Sequence, residues 1–186
     1  MKSIIKSIFL FCVFAVSFTS CETYSDPTVT YSPIYPLSGE WRVRITNVTT
    51  GVMVSTTAMY TFGTYNTSDN STNQMWMRAT SSIPTFITTG TTPKTILSKI
   101  NCDVPSLTFS TTGVVQNLNY TTAVVLDTIS ITEGKVTLNS VLMKSGVMSD
   151  RIAFKLTKTK SAGNTYFIEG YRRTRWAEDE TVIDFK

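Results

Sequence analysis

From Leu37 onward the hydrophobic positions recur at every second residue. Trp41, Val43 and Ile45 alternate with Arg42, Arg44 and Thr46, setting an apolar face against a charged one. Leu107 and Phe109 alternate with Thr108 and Ser110, and Ile152, Phe154 and Leu156 with Ala153, Lys155 and Thr157. Thr is abundant along these runs, as a β-branched residue facing water on a pleated surface should be. No stretch of ten residues in this region combines helical apolar spacing with caps. Turn chemistry divides the runs. Ser68-Asp69-Asn70-Ser71 separates a strand near residues 60–65 from one near 75–79, and Ser161-Ala162-Gly163-Asn164 separates the last two. Glu133-Gly134 predicts the clearest hairpin, joining residues 128–132 to 135–139. Residues 83–93 break the rhythm as a loop or an irregular edge. The spacing predicts roughly eight to ten antiparallel strands, an all-β barrel or sandwich.

The amino terminus follows a different pattern. Lys2 and Lys6 precede an apolar run from Ile8 to Phe18, and small residues Thr19-Ser20 close it, the three parts of a secretory signal. The run is shorter than the roughly 20 residues a membrane-spanning helix needs. Cys21 follows at once, so Ser17-Phe18-Thr19-Ser20-Cys21 resembles the lipobox of bacterial lipoproteins, with Phe18 where Leu is usual, the looser form seen in Bacteroidetes. That resemblance implies cleavage before Cys21 and acyl chains on it. Two or more chains hold a protein on a membrane where one chain binds marginally. Residues 22–36, with three of the six prolines, read as an extended tether. The expected organisation is a signal over residues 1–20, a lipidated Cys and tether over 21–36, and one domain over 37–186.

Composition narrows the function. At 41% hydrophobic and 16% charged residues, the chain is too apolar for intrinsic disorder. Lys and Arg outnumber Asp and Glu by 17 to 13, and beyond the leader by 15 to 13, a net +2 with no basic stripe, so no nucleic-acid partner is expected. There is no histidine. Ser-His-Asp and Cys-His catalysis and His-ligated metal sites are thereby excluded. Beyond the lipobox only Cys102 remains, too few thiols for a disulfide framework, and it reads as a buried apolar residue. No metal and no cofactor is expected.

Two stretches carry a family likeness. Leu37-Ser38-Gly39-Glu40-Trp41 opens the first strand, and Gly170-Tyr171-Arg172-Arg173-Thr174 with Glu178-Asp179-Glu180 follows the last. With Leu107-Thr108-Phe109-Ser110-Thr111 they resemble the Bacteroidetes lipoproteins grouped as lipid-binding putative hydrolases, over about residues 36–181. The resemblance implies a single antiparallel lipocalin-like β-barrel with an apolar interior, and no catalytic residues carry over with it. Lipocalins open with Gly-x-Trp and lay an Arg from the last strand over that Trp. Gly39 and Trp41 match the first half, and one of Arg172 and Arg173 supplies the second, since neighbours on a strand face opposite sides.

Period-two placement puts Trp41, Tyr60, Phe62, Trp76, Phe109, Phe154, Tyr166 and Ile168 inside such a barrel, with Met75, Met77, Met143 and Met148 as pliable lining. Trp41, Tyr60, Trp76, Phe109, Phe154 and Arg172 are the candidate ligand contacts. An eight-stranded barrel is either filled by its side chains or holds one small ligand, and both readings stay open here. Glu178-Asp179-Glu180 reads as a solvated tail that pairs with Arg172, Arg173 or Arg175. The expected function is non-catalytic binding of a lipid or other small apolar ligand by a protein anchored in the cell envelope, at the outer membrane. The rivals are a carboxylate-based hydrolase and a filled-barrel subunit of an outer-membrane complex.

Overall fold

The computed structural model describes residues 28–79, 96–119, 122–158 and 164–180. The leader, Cys21, residues 83–93 and most of the 161–164 turn lie outside the described residues. The chain divides into Met1–Tyr31 and Ser32–Lys186, and the second unit is the β-domain. Its strands are β1 (Gly39–Asn47), β2 (Tyr60–Asn66), β3 (Gln74–Ala79), β4 (Ile96–Asp103), β5 (Thr108–Ser110), β6 (Val115–Leu118), β7 (Val125–Leu142), β8 (Met148–Lys158) and β9 (Thr165–Arg172). A 3-10 turn, Tyr35–Leu37, precedes β1, and a second, Ala177–Glu180, follows β9.

Every pairing is antiparallel. The sheet runs β5-β4-β3-β2-β1-β9-β8-β7-β6, and a further pairing of β5 with β7 closes it into an eight-stranded barrel with β6 as an extra strand on β7. Closure removes the exposed edges an open sheet would offer to other chains. The alternation read from the sequence decides which side chains enter. Trp41, Val43 and Ile45 are fully buried inside, as are Ile152, Phe154 and Leu156 of β8. The first and last strands are neighbours, with Trp41 directly opposite Arg172.

The predicted hairpin at Glu133-Gly134 is absent. β7 runs through these two residues as one strand of 18 residues, and β8 pairs with it on both sides of them. They form a bulge: Glu133 takes φ +55° and the register shifts between Thr132 and Lys135. Gly134 is needed for a different reason than a turn. It faces Phe109 of β5, and a Cβ there would overlap the Phe109 carbonyl oxygen and ring. The glycine lets β5 approach closely enough to shut the barrel.

Candidate functional site

One barrel end is plugged. Ile34, which precedes the first 3-10 turn, and Leu37, its last residue, are fully buried. The Trp41 indole donates to Thr64 Oγ1 at 2.8 Å, and that hydroxyl donates to the Leu37 carbonyl at 2.6 Å. Arg172 lies over the Trp41 ring, 4.9 Å from its centroid. Its Nη2 donates to the Pro36 carbonyl at 2.8 Å, and its Nε faces Asp150 Oδ2 at 3.0 Å. The neighbouring Arg173 points outward to Glu40 and Glu180. Strand geometry therefore divides the two arginines as expected, one sealing the end and one pairing outside.

Above the plug the barrel is packed. Phe154 meets Phe62 and Phe109 edge to face, with centroids 5.8 and 5.6 Å apart. Met75, Met77, Ile131, Ile152 and Ile168 complete this layer and none has exposed surface. Trp41, Phe109 and Phe154 are thus core residues and Arg172 a closing residue. Tyr60 sits toward the opposite end, nearly buried, and burial raises its phenol pKa although a hydrogen bond with Ser55 opposes this.

Trp76 is not inside. Met75, Met77 and Ala79 take the inward positions of β3, so Trp76 faces out with Lys99 Nζ 5.5 Å from its ring. Placing both Trp76 and its Met neighbours in the interior violated strand alternation, and the buried set favours the methionines. Cys102 is buried as expected, and its thiol pKa is raised by burial and by the nearby Asp103.

The end away from the plug holds a polar group of inward-facing residues that the sequence did not announce. Lys158 ends the inward row of β8 and has no exposed surface. Its Nζ is 3.1 Å from Asp127 Oδ2, an oxygen that makes no hydrogen bond of its own. Asp127 Oδ1 accepts from Asn117 Nδ2 at 2.7 Å. Asn117 Oδ1 in turn accepts from the Leu97 backbone at 3.0 Å, and Ser98 Oγ donates to the Gln116 carbonyl. Side chains here replace the missing ladder between β4 and β6. Around them stand Ile129, Leu156, Ile96 and the nearly buried Tyr166. The result is an ammonium–carboxylate pair set in an apolar wall. A carboxylate or phosphate brought to Lys158 would find a matching charge.

A concavity of about 580 Å³ lies on the outer face of β1–β3. Gly39, Glu40, Gly63, Tyr65, Arg78 and Arg173 line it. Its guanidinium at Arg173 is already engaged by two carboxylates, so the groove offers less unspent chemistry than the inner pair. Among the described residues, no group of three or more Cys, Asp or Glu side chains is arranged to hold a metal.

Comparison with curated proteins returns no match. Comparison with protein families matches residues 26–177 to the lipid-binding putative hydrolases, a span that takes in both the plug and the buried pair. On that match, with the barrel it accompanies, the chain belongs to the lipid-binding putative hydrolase family.

Proposed function

We propose that the protein is an envelope lipoprotein, held by acyl chains on Cys21, whose barrel binds a single-tailed anionic amphiphile without turning it over. The family and the barrel support lipid binding. The observation that carries the finer reading is the buried pair of Lys158 and Asp127. Taking two charges out of water costs several kcal/mol per ion, and an apolar pair of similar volume would fill the same wall as well or better. The barrel is closed by the pairing of β5 with β7, and Asn117 and Ser98 bridge β4 to β6, so the charges of the ion pair are not what joins the strands. Its cost is intelligible if Lys158 exchanges Asp127 for the head group of a ligand. For the acyl tail to follow, the packed side chains of Met77, Ile129 and Leu156 would have to part, and the unbranched Met is the one that yields most readily. Binding without turnover fits a chain that has no histidine to serve as a general base.

The test is native mass spectrometry of gently purified protein, with Asp127→Asn/Lys158→Met beside the wild type. Lys158→Met alone should cost about 3–5 kcal/mol, because it strands a buried carboxylate. The double variant removes both charges and should keep the fold while losing anionic lipid. A wild-type protein that carries no lipid, or a folded double variant that carries the same load, refutes the proposal.

A further inference from the structure

The β7–β8 hairpin outruns its neighbours. β5 last pairs with β7 at Lys135, and β9 with β8 at Arg151, yet β7 and β8 continue to Leu142 opposite Met148. This overhang exposes four large apolar side chains, Leu142 at 68%, Met148 at 50%, Leu138 at 45% and Val147 at 41%, so Met148 lies on the surface and not in the interior lining expected from the sequence. Leu142 and Met148 are direct cross-strand partners, so their side chains share a face rather than scatter. The tail after β9 is tied to the same hairpin, where Ser145 donates through its backbone N and its Oγ to the Asp179 carboxylate at 2.9 and 2.7 Å. That tail presents Trp176, 57% exposed. Lys144, also exposed, adds a cation at the turn.

We infer that this overhang, with Trp176 and Lys144, seats on the surface of a lipid bilayer. Two independent facts choose a bilayer over another protein. The first is composition: aliphatic side chains, a tryptophan and a lysine make the amphipathic set that beds into an anionic membrane interface. The second is position. The chain enters the barrel at this end: Arg172 joins the Pro36 carbonyl to Asp150, and Ser149 Oγ donates to the Arg172 carbonyl at 2.7 Å. Pro36 and the base of the overhang are therefore neighbours. Cys21 precedes Tyr35 by 14 residues, a span of at most about 50 Å when fully extended. The tether of an acylated Cys21 joins the barrel at this end and not at the Lys158 end, so this end lies nearer to the point of attachment. The inference rests on the acylation proposed above.

The experiment uses the acylated protein in vesicles of phosphatidylethanolamine and phosphatidylglycerol. An environment-sensitive fluorophore is attached at Leu142→Cys in a Cys102→Ser background, and in a second protein at Val124→Cys, exposed beside the start of β7 at the opposite end. A blue shift and quenching by nitroxide lipid at position 142, with neither at 124, is the expected result. Co-flotation with both probes equally open to an aqueous quencher overturns the seating while leaving the anchor intact. Shielding of position 142 only when other envelope proteins are added overturns it in favour of a protein partner. Failure to float at all removes the anchor and the inference with it. Moving the probe to Met148→Cys repeats the reading should Leu142→Cys perturb the hairpin.

Discussion

Arg172 shows how much closure one side chain performs. It stacks on Trp41, bonds the Pro36 carbonyl and faces Asp150, so it joins the two terminal strands, the β8 start and the incoming chain. A guanidinium over an indole contributes roughly 0.5–2 kcal/mol, more as water is excluded. At the same scale, glycines distinguish contact from mere opportunity. Gly134→Ala forces a methyl into the Phe109 backbone and ring, which cannot retreat without unpairing β5 from β7. It should cost about 3 kcal/mol or more. Gly63→Ala meets only the Arg78 carbonyl oxygen at 4.0 Å, ordinary contact, and should change stability by less than about 0.5 kcal/mol. Urea unfolding of the two variants checks this, and a Gly134→Ala protein as stable as the wild type would show that β5 does not close the barrel as described.

Among the elements, the carboxy-terminal 3-10 turn behaves as a latch. Its acidic triplet reads as a solvated tail in sequence, yet Asp179 is buried and accepts from Ser145 and Thr174, while Glu180 pairs with Arg173 and Arg42 outside. Burial alone would raise the Asp179 pKa, but the hydrogen bonds from Thr174 and Ser145 outweigh it and hold the carboxyl below its ordinary 3.8. The folded protein thus binds this proton less readily than the unfolded chain. The latch contributes its full stability above the ordinary carboxylate range and loses it as pH falls through the lower folded value. The stability gap between wild type and Asp179→Asn, followed by thermal unfolding, should therefore be constant near neutrality and close in strong acid; a gap indifferent to pH would show that the charge is not what latches the tail. The same elements show what sequence can and cannot disclose. Alternation identified the strands, because a buried face is written into every second residue, while the pairing of Trp41 with an arginine of the last strand came from the family resemblance. It failed at Met75-Trp76-Met77, where both faces carry large apolar side chains and nothing local sets the parity. It failed at Glu133-Gly134 because a turn and a bulge use the same residues, and only the distant Phe109 decides between them. Asn117, Asp127 and Lys158 come from three strands and each looks like a surface residue until the barrel closes around it.

At the scale of the whole molecule, the two barrel ends have different chemistry, and that polarity would matter to a domain anchored at Cys21 as proposed. One end is sealed by the indole–guanidinium stack and receives the chain from its amino terminus; the other carries the buried ammonium–carboxylate pair. A domain held at Cys21, as proposed, would be attached on the side of its sealed end and would leave the charged end free to meet lipid. This arrangement depends on Cys21. Cys21→Ala removes the only thiol in the lipobox and should abolish incorporation of labelled palmitate and partitioning into the detergent phase, with no change in the thermal unfolding of the barrel, since the plug begins at Ile34. Unchanged partitioning in Cys21→Ala would mean that the apolar leader itself holds the membrane. Protease treatment of intact cells then tests the proposed location: a barrel cleaved without lysis stands on the cell surface, and one protected until lysis lies inside it.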